Sequence, residues 1–340
     1  MRYIFALITM LFSTAFYSPS LWAVEWEDRK HFKGSTGTNT LSVISTADTD
    51  VFSPIIESFL QDNPDVSIEY LVAGSSDIYS EFQQSSDQYD VVISSAMDLQ
   101  LKLVNDGFAL RTNELQHPGW AQWRQSLFGF TLEPAAIVIN KAAFKNLPIP
   151  KSRQEMIETL RRNPNTFKGR IGTYDVRASG LGYLFATQDA RRSETYWRLT
   201  EIMGSLDVRL YRGSGEMIED LAVGKIAISY NVLGSYADAR TELADKIEVI
   251  LPSEFPTTMM RTALVSANST EQAAATSFVR YLISSQWGAA DDSLKTLPSL
   301  QHAPDTLQRS AIALEPGLMI FLDRMKRQNF IDEWERAIIQ

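Results

Sequence analysis

Hydroxyl side chains recur at the points where an apolar, strand-like run passes directly into a helix-like run. The pattern occurs at residues 41–50 and 90–98, and two further copies begin at Arg170 and Ile226. The start of a helix has unpaired backbone N–H groups and partial positive charge, so serine and threonine there suit a polar or anionic ligand. Serine, threonine and aspartate are also ordinary N-caps, and plain capping is the alternative for any single turn.

Two arginines accompany the later turns. Arg177 lies just before the predicted helix start at Gly180, and Arg212 precedes a Gly-Ser-Gly turn. Capping does not account for them, because a helix N-terminus disfavours positive charge, whereas a guanidinium binds phosphate or carboxylate through paired N–H groups. The alternatives are that Arg177 pairs with Asp175 and that Arg212 is a solvated strand end. Arg261 is a third candidate for anion contact.

Together these turns predict one ligand-binding site made from strand ends and helix starts. Several members also have an ordinary structural interpretation. Capping is favoured for Asp48, bracing of a crossing between two lobes for Glu133, and a paired core hydroxyl for Tyr174 and Tyr230. The predicted ligand-binding residues are Ser45, Thr46, Asp48, Ser75, Ser76, Ser94, Ser95, Thr131, Glu133, Thr173, Tyr174, Arg177, Ser179, Gly180, Arg212, Ser214, Tyr230 and Asn231.

The elements that must position these residues alternate between strand and helix. From residue 40 to Gly107 the order is β-α-β-α-β-α, which predicts a mostly parallel sheet with right-handed crossovers. A second alternating series begins near residue 146. Between them, residues 127–140 contain a Glu-Pro pair, and proline is confined to the edges, starts or bulges of strands. We interpret this run as a crossing between lobes, with a return near residues 252–265.

This order predicts an α/β protein with two lobes, each a mostly parallel sheet flanked by helices, joined by a two-segment hinge like a clam-shell. The first lobe would comprise residues 40–132 and 255–340, and the second residues 133–254. Residues 24–39 are predicted to be a polar leader. In open α/β sheets, ligands bind beyond the carboxyl ends of the strands, so we expect the hydroxyl turns to face a cleft between the lobes.

The N-terminal segment and the composition indicate export. Residues 1–23, with a positive charge, a short apolar run and a small residue at Ala23, follow the pattern of a secretory signal peptide. An uncleaved anchor is the alternative, because Leu21 is bulky for a cleavage site. The chain has no cysteine, which excludes disulfides and lipid attachment at a cysteine. Its net charge of −9 argues against nucleic acid or an anionic membrane as a partner.

Motifs for catalysis or metal binding are missing from the sequence. The three histidines, His31, His117 and His302, are isolated, and their spacing suits neither a metal site nor base catalysis. No Gly-x-Ser-x-Gly elbow, P-loop or dinucleotide fingerprint occurs. We therefore expect neither an enzyme nor a cofactor. An exported hydrolase of phosphate esters is the enzyme alternative, since many activities can arise on one fold.

Five sequence blocks resemble a known family, the periplasmic solute-binding proteins of ABC transporters. They are similar to its two-lobed class related to ferric-ion binding proteins, the type II clam-shell. Within that class they most resemble the branch of the phosphoglycerate transport regulatory protein. The blocks are residues 46–52, 90–107, 131–134, 169–182 and 230–237.

The resemblance implies capture of a small solute between the lobes, hinge closure, and delivery to an ABC permease or to a membrane sensor kinase. The iron binders of this class use adjacent tyrosines as metal ligands, whereas here Tyr230 is followed by Asn231, so we expect no metal. The branch implies a phosphorylated or carboxylated organic solute. Separately, we expect the exported protein to be a monomer in the periplasm. Arg177 and Arg212 are expected to hold the anionic group in the second lobe. The rest of the solute is expected to contact Ser45, Thr46, Ser94 and Ser95.

Overall fold

The computed structural model describes residues 24–113, 115–284 and 297–339. The predicted signal peptide and its cleavage site at Ala23 lie outside these ranges. Within them, no helix combines the length and the apolar character needed to cross a bilayer.

The first lobe is built on a seven-stranded sheet in the order β1-β3-β2-β4-β13-β6-β5. Its strands are β1 (Asp28–Phe32), β2 (Asn39–Ser45), β3 (Val66–Val72), β4 (Val91–Ser94), β5 (Gln122–Trp123), β6 (Leu127–Gly129) and β13 (Thr262–Val265). Strand β2 lies parallel to β3 and β4, and the outer strands pair antiparallel. The helices of this lobe include α1 (Thr49–Asp62), α2 (Ser75–Gln84), α3 (Met97–Asn105), α10 (Gln272–Ile283) and α11 (Asp305–Arg309).

The second lobe is built on a sheet in the order β11-β7-β10-β8-β9, with β12 added beside β7. Its strands are β7 (Glu133–Asn140), β8 (Ile171–Tyr174), β9 (Arg209–Tyr211), β10 (Ile228–Leu233), β11 (Ile247–Ile250) and β12 (Thr258–Met259). The helices are α4 (Arg153–Arg162), α5 (Pro164–Phe167), α6 (Gly180–Arg192), α7 (Thr195–Ser205), α8 (Ser214–Ala222), α9 (Gly234–Ala239) and α12 (Arg324–Ile338).

The two-sheet α/β architecture is confirmed, but parallel pairing covers less of each sheet than predicted. Strands β3, β2 and β4 are parallel in the first sheet, and β10, β8 and β9 in the second. The reason is the double crossing. Strand β13 follows the return crossing and enters the first sheet antiparallel to β4, while β7 lies antiparallel to both of its neighbours in the second.

The two crossings pair with each other. Glu133, at the start of β7, lies opposite Met259 of β12, and Pro134 lies opposite Thr258. Proline at the first positions of a strand costs no central ladder bond. The hinge is therefore a short two-stranded connection rather than two independent linkers.

Both ends of the described chain differ from the predicted lobe boundaries. The leader contains β1, which extends the first sheet beside β3. The C-terminal helix α12 packs on the second lobe, although residues 255–340 were assigned to the first. Phe330, Trp334 and Ile338 recur every four residues on one face of α12 and are buried in the second-lobe core. Gly204 of α7 permits this approach, since a Cβ there would lie 2.3 Å from the carbonyl oxygen of Ala337.

Candidate functional site

A cleft of about 400 Å³ lies where the two lobes face each other. The first lobe supplies the end of β2, the turn after β3 and the turn after β4. The second lobe supplies the end of β8 and the starts of α6, α8 and α9. The predicted ligand-binding residues that line the cleft are Thr46, Asp48, Ser75, Ser95, Tyr174, Ser179, Arg212 and Ser214. Lining residues that the sequence did not predict are Glu27, Gly213, Glu216 and Tyr236, among others.

Three helices begin at the cleft without a side-chain cap. The cap residues of α1, α2 and α8 are Asp48, Gly74 and Gly213, and all three line the cleft. Within the described part of the chain the Asp48 side chain accepts no backbone N–H of α1, and Gly74 and Gly213 have no side chain that could accept one. The capping interpretation of Asp48 is therefore wrong, and its carboxylate stays available to a ligand. Three helix starts directed at one cleft favour negative charge there.

The cleft hydroxyls share one hydrogen-bonding arrangement. Each oxygen accepts a backbone N–H, and each therefore keeps its own O–H to donate. The pairs are Thr46 Oγ1 with Ser95 N (3.0 Å), Ser75 Oγ with Leu181 N (3.1 Å), Ser179 Oγ with Gly182 N (3.1 Å) and Ser214 Oγ with Leu233 N (3.1 Å). The O–H groups of Ser75 and Ser179 are thus left for a ligand in the cleft, whereas Thr46 donates to Ser95 (3.3 Å) and Ser214 shares a hydrogen bond with the Tyr174 hydroxyl (2.5 Å).

Charged groups of both signs line the cleft. Arg212 reaches across from the second lobe to Asp77 at the start of α2. On the other side, burial raises the pKa of the Asp48 carboxyl, and the Arg261 guanidinium partly offsets this rise. Burial also raises the pKa of Glu27, with a further rise from the negative charge of Asp48. Among the described lining residues the cleft thus has one guanidinium, which is paired with Asp77, and carboxylates that can accept hydrogen bonds from ligand hydroxyls or amines.

Contacts across the cleft hold the lobes together. The hydroxyl of Tyr236 in the second lobe accepts a hydrogen bond from the backbone N of Asp48 in the first (3.2 Å). The Ser75–Leu181 bond and the Arg212–Asp77 ion pair also join the lobes. These contacts close one side of the cleft, so a solute inside would touch both lobes.

The remaining serines and Gly180 lie beside or behind the cleft. Ser45 and Ser94 are buried, and their Oγ atoms accept from the backbone N of Ala47 (3.0 Å) and Ala96 (3.1 Å). Ser76 and Gly180 line a second cavity of about 240 Å³ between the lobes. These residues shape the turns, and they do not line the larger cleft.

Arg177 does not reach the cleft. Its Nε and Nη2 donate to the two carboxylate oxygens of Asp175 (2.8 and 2.6 Å), and Nη1 donates to Glu335 of α12 (3.0 Å). Its guanidinium also lies over the ring of Trp334, 5.7 Å from the ring centre. The alternative in which Arg177 pairs with Asp175 describes the structure, and α12 supplies the rest of its surroundings.

Tyr230 and Asn231 belong to a buried network in the second lobe, and Thr173 packs beside it. The Tyr230 hydroxyl donates to Asp189 (2.6 Å) and accepts from Arg153 Nε (2.6 Å), while Asn231 Nδ2 donates to the same carboxylate (3.0 Å). The Thr173 hydroxyl donates to the Tyr230 carbonyl (3.3 Å). A bulge in β10, with Asn231 at a φ of 63°, lets both neighbouring side chains reach Asp189.

Thr131 and Glu133 lie in the hinge under the cleft. The Thr131 hydroxyl donates to Glu133 (2.8 Å), and Glu133 forms a buried ion pair with Arg261 (3.0 Å). The bracing interpretation of Glu133 describes this position. Arg261 was predicted to be a candidate for direct anion contact, but its side chain is 1% exposed and does not line the cleft.

Comparison with known proteins gives one consistent class. Residues 45–289 match the family described as bacterial extracellular solute-binding protein. A search of curated proteins gives no match. Among solved structures, the substrate-binding protein of an ABC transporter from Agrobacterium tumefaciens shares 30% identity over 92% of this chain and 98% of its own, with a TM-score of 0.85.

More distant structures share the fold. AfuA from Actinobacillus pleuropneumoniae, solved with fructose-6-phosphate bound, has 15% identity over 89% of this chain and 99% of its own, with a TM-score of 0.70. Iron-bound HitA from Pseudomonas aeruginosa has 13% identity over 88% of this chain and 99% of its own, with a TM-score of 0.65. At these identities the likeness concerns the two-lobed fold alone.

Proposed function

Because the chain belongs to the bacterial extracellular solute-binding proteins, we propose that it captures a small anionic organic solute, phosphorylated or carboxylated, between its two lobes. The family match and the similarity to the Agrobacterium structure indicate that the chain is the solute-binding component of an ABC transporter. Such a component lies outside the cytoplasm and works with a membrane permease. The chemical class of the solute is the part that we propose here.

The observation that carries this proposal is the common polarity of the cleft hydroxyls. Thr46, Ser75, Ser179 and Ser214 all accept a backbone N–H. This leaves the O–H groups of Ser75 and Ser179 for the solute, and the Thr46 O–H donates to Ser95, whose own O–H can donate in turn. A neutral polyol could use such donors, but it would leave the three uncapped helix starts without a negative charge. Phosphate and carboxylate oxygens satisfy both features, because they are acceptors and carry the charge.

The proposed position of the anionic group is the second lobe, at the start of α8. There a Cβ at Gly213 would meet no atom within 4 Å, so the backbone of this turn borders open space that a ligand can enter. Ser214 and Arg212 flank it and supply a hydroxyl and a guanidinium. The carboxylate of Asp48 faces this group across the cleft and accepts hydrogen bonds from the rest of the solute.

The size of the cleft is compatible with such a solute. A volume of about 400 Å³ lies near the lower end of the range for small-molecule sites. The bound fructose-6-phosphate in AfuA shows that this fold accommodates a phosphorylated sugar in another protein. We also propose that residues 1–23 are removed during export, which N-terminal sequencing of the exported protein would test.

A thermal-shift screen, followed by native mass spectrometry of each hit, tests the proposal. The panel contains phosphorylated sugars, phosphoglycerates, phosphonates, and di- and tricarboxylates, each beside its uncharged parent compound. A ligand that binds the folded state raises the melting temperature as its concentration exceeds the dissociation constant. We expect stabilisation by one anionic class and none by its neutral parents. Equal stabilisation by a neutral parent, or none by any anion, would disprove the assigned solute class.

A further inference from the structure

The buried ion pair of the hinge contacts two residues that line the cleft, the hydroxyl of Thr46 and the ring of Tyr236, whose centre lies 5.6 Å from the Arg261 guanidinium. Arg261 follows β12, and its Nε and Nη2 bind the two carboxylate oxygens of Glu133 (3.0 and 3.2 Å). Glu133 also accepts from the hydroxyls of Thr131 and Ser235 (both 2.8 Å), so its carboxylate is fully engaged. The pair joins the two crossings, and its charges largely cancel.

The third nitrogen of Arg261 leads to the cleft. Nη1 donates to Thr46 Oγ1 (3.1 Å), and the same oxygen accepts from the backbone N of Ser95 (3.0 Å). A hydroxyl oxygen has two acceptor positions and one proton. Both acceptor positions of Thr46 are therefore occupied, so Thr46 can act toward a neighbour or a ligand only as a donor.

The neighbour that accepts the hydrogen bond from Thr46 is the hydroxyl oxygen of Ser95, 3.3 Å from Thr46 Oγ1. Ser95 then holds its own O–H free, and both hydroxyls line the cleft. This series of hydrogen bonds leads from Arg261 through Thr46 to Ser95, which can donate to an acceptor in the cleft. The direction of donation cannot be reversed, because a guanidinium has no acceptor atom and keeps its protons at any physiological pH.

We propose that Arg261 is a positioning residue of the solute site, which makes Thr46 donate to Ser95 and so leaves the Ser95 O–H to bind a hydrogen-bond acceptor on the solute. This inference rests on the proposed function and extends it to the lobe opposite Arg212. A solute with acceptor oxygens at both ends, such as a carboxylated phosphate ester, satisfies both lobes. Arg261 performs this role without touching the solute.

Four variants separate positioning from a merely structural role. Arg261→Lys keeps a cation beside Glu133, but one ammonium group does not span Glu133 and Thr46 as the guanidinium does. Thr46→Val removes the hydroxyl, and Thr46→Ser retains it. The fourth variant, Arg153→Lys, is the matched control, because Arg153 forms a comparably buried pair with Asp189 (2.9 Å) away from the cleft.

Inorganic phosphate and 3-phosphoglycerate serve as the acceptor probes, with affinities measured by calorimetry. We expect Arg261→Lys and Thr46→Val each to lose about tenfold in affinity, a common cost of a hydrogen bond to a charged group. The double variant should lose no more affinity than either single variant, since both substitutions break the same series of hydrogen bonds. Thr46→Ser keeps the hydroxyl and should bind more tightly than Thr46→Val, and Arg153→Lys should bind as the wild type does.

The outcomes also separate this inference from the proposed function. If no anion in the solute panel binds the wild type, the proposed function fails and this inference fails with it. If phosphate or 3-phosphoglycerate binds wild type and Arg261→Lys equally, or if the losses of the two single variants add, only the positioning role is overturned.

Should Arg261→Lys fail to fold, the pair is replaced as a unit by Arg261→Met with Glu133→Met. Apolar replacement of a buried ion pair is often tolerated. This variant should lose affinity as Thr46→Val does, and wild-type affinity in it would overturn the role of Arg261.

Discussion

The Oγ of Ser75 in the first lobe accepts a hydrogen bond from the backbone N of Leu181 in the second, at 3.1 Å. This bond places the start of α6 directly against the starts of α2 and α3. It also separates the solute cleft from the smaller cavity on the other side of Gly180. The distance between the lobes in this structure therefore depends on how near these helix starts approach each other.

Gly180→Ala should keep the lobes from closing fully. A Cβ at Gly180 would lie 2.8 Å from Leu99 Cδ1, 2.9 Å from Ser75 Oγ and 3.2 Å from Ala96 Cβ. If the closed state falls to a tenth of its population, the affinity for the solute falls about tenfold. Small-angle X-ray scattering with saturating ligand should show a larger radius of gyration than in the wild type. Gly119→Ala is the control, because a Cβ there meets no atom within 4 Å.

Arg212→Gln should weaken anion binding about tenfold or more, because it removes a charge-assisted donor from the cleft. Arg177→Gln removes the same charge from a residue held by Asp175 and Glu335 outside the cleft, and it should leave the affinity unchanged. Titration calorimetry with the solute found in the screen measures both. Equal losses in the two variants would indicate a long-range charge effect and contradict a direct contact.

Asp77→Asn distinguishes anion contact from a simple latch. Arg212 pairs with Asp77 across the cleft, so Arg212→Gln also breaks an ion pair between the lobes. If Arg212 acted only as a latch, Asp77→Asn would weaken binding as much as Arg212→Gln does. We expect the reverse, with affinity kept or raised, because the guanidinium is then free for the solute.

The cleft residues that the sequence predicted are those determined by local pattern. Thr46, Ser95 and Ser214 follow directly from the change between strand and helix periodicity, and the structure places them in the cleft. Glu27 carries no such signal. It comes to the cleft because β1 pairs with β3, a contact between segments distant in sequence.

The predicted ligand-binding residues that lie outside the cleft are held there by contacts with parts of the chain that are distant in sequence. Arg177 is held outside the cleft partly by Glu335 and Trp334, and nothing near residue 177 indicates that α12 packs there. Tyr230 and Asn231 end in the core because a bulge turns both toward Asp189. Strand alternation predicts opposite faces for two such neighbours, so a regular pattern could not reveal this arrangement.

Asp98→Asn should change the pH dependence of stability. Burial raises the pKa of Asp98 to about 7, against opposing contributions from the backbone N–H of Leu99 and the charge of Arg327. Between about pH 4 and 7 the unfolded chain ionises this group while the folded one keeps it protonated, so the free energy of unfolding falls as pH rises. Asn carries no such penalty. The variant should gain stability over the wild type across this range, by at most about 4 kcal/mol above pH 7.

Urea unfolding at several pH values measures this difference. Asp106→Asn is a matched control, since it removes a carboxylate from a partly exposed ion pair with Lys102 at the end of α3. A stability difference between wild type and Asp98→Asn that does not vary from pH 4 to 8 would contradict the assignment.

Asp189→Ala should be among the most destabilising substitutions in the second lobe. Asp189 and Arg153 have side-chain exposures of 2% and 3%, and the same carboxylate accepts from Tyr230, Asn231 and Thr257. Its loss leaves the buried Arg153 guanidinium without its ion-pair partner, which costs about 3 to 5 kcal/mol. Replacing both partners, with Arg153→Met and Asp189→Leu, removes the charges together and should cost much less. Chemical denaturation of the single and double variants gives the comparison, and a double variant no more stable than Asp189→Ala would show that the hydrogen bonds to the carboxylate, rather than the unpaired charge, dominate.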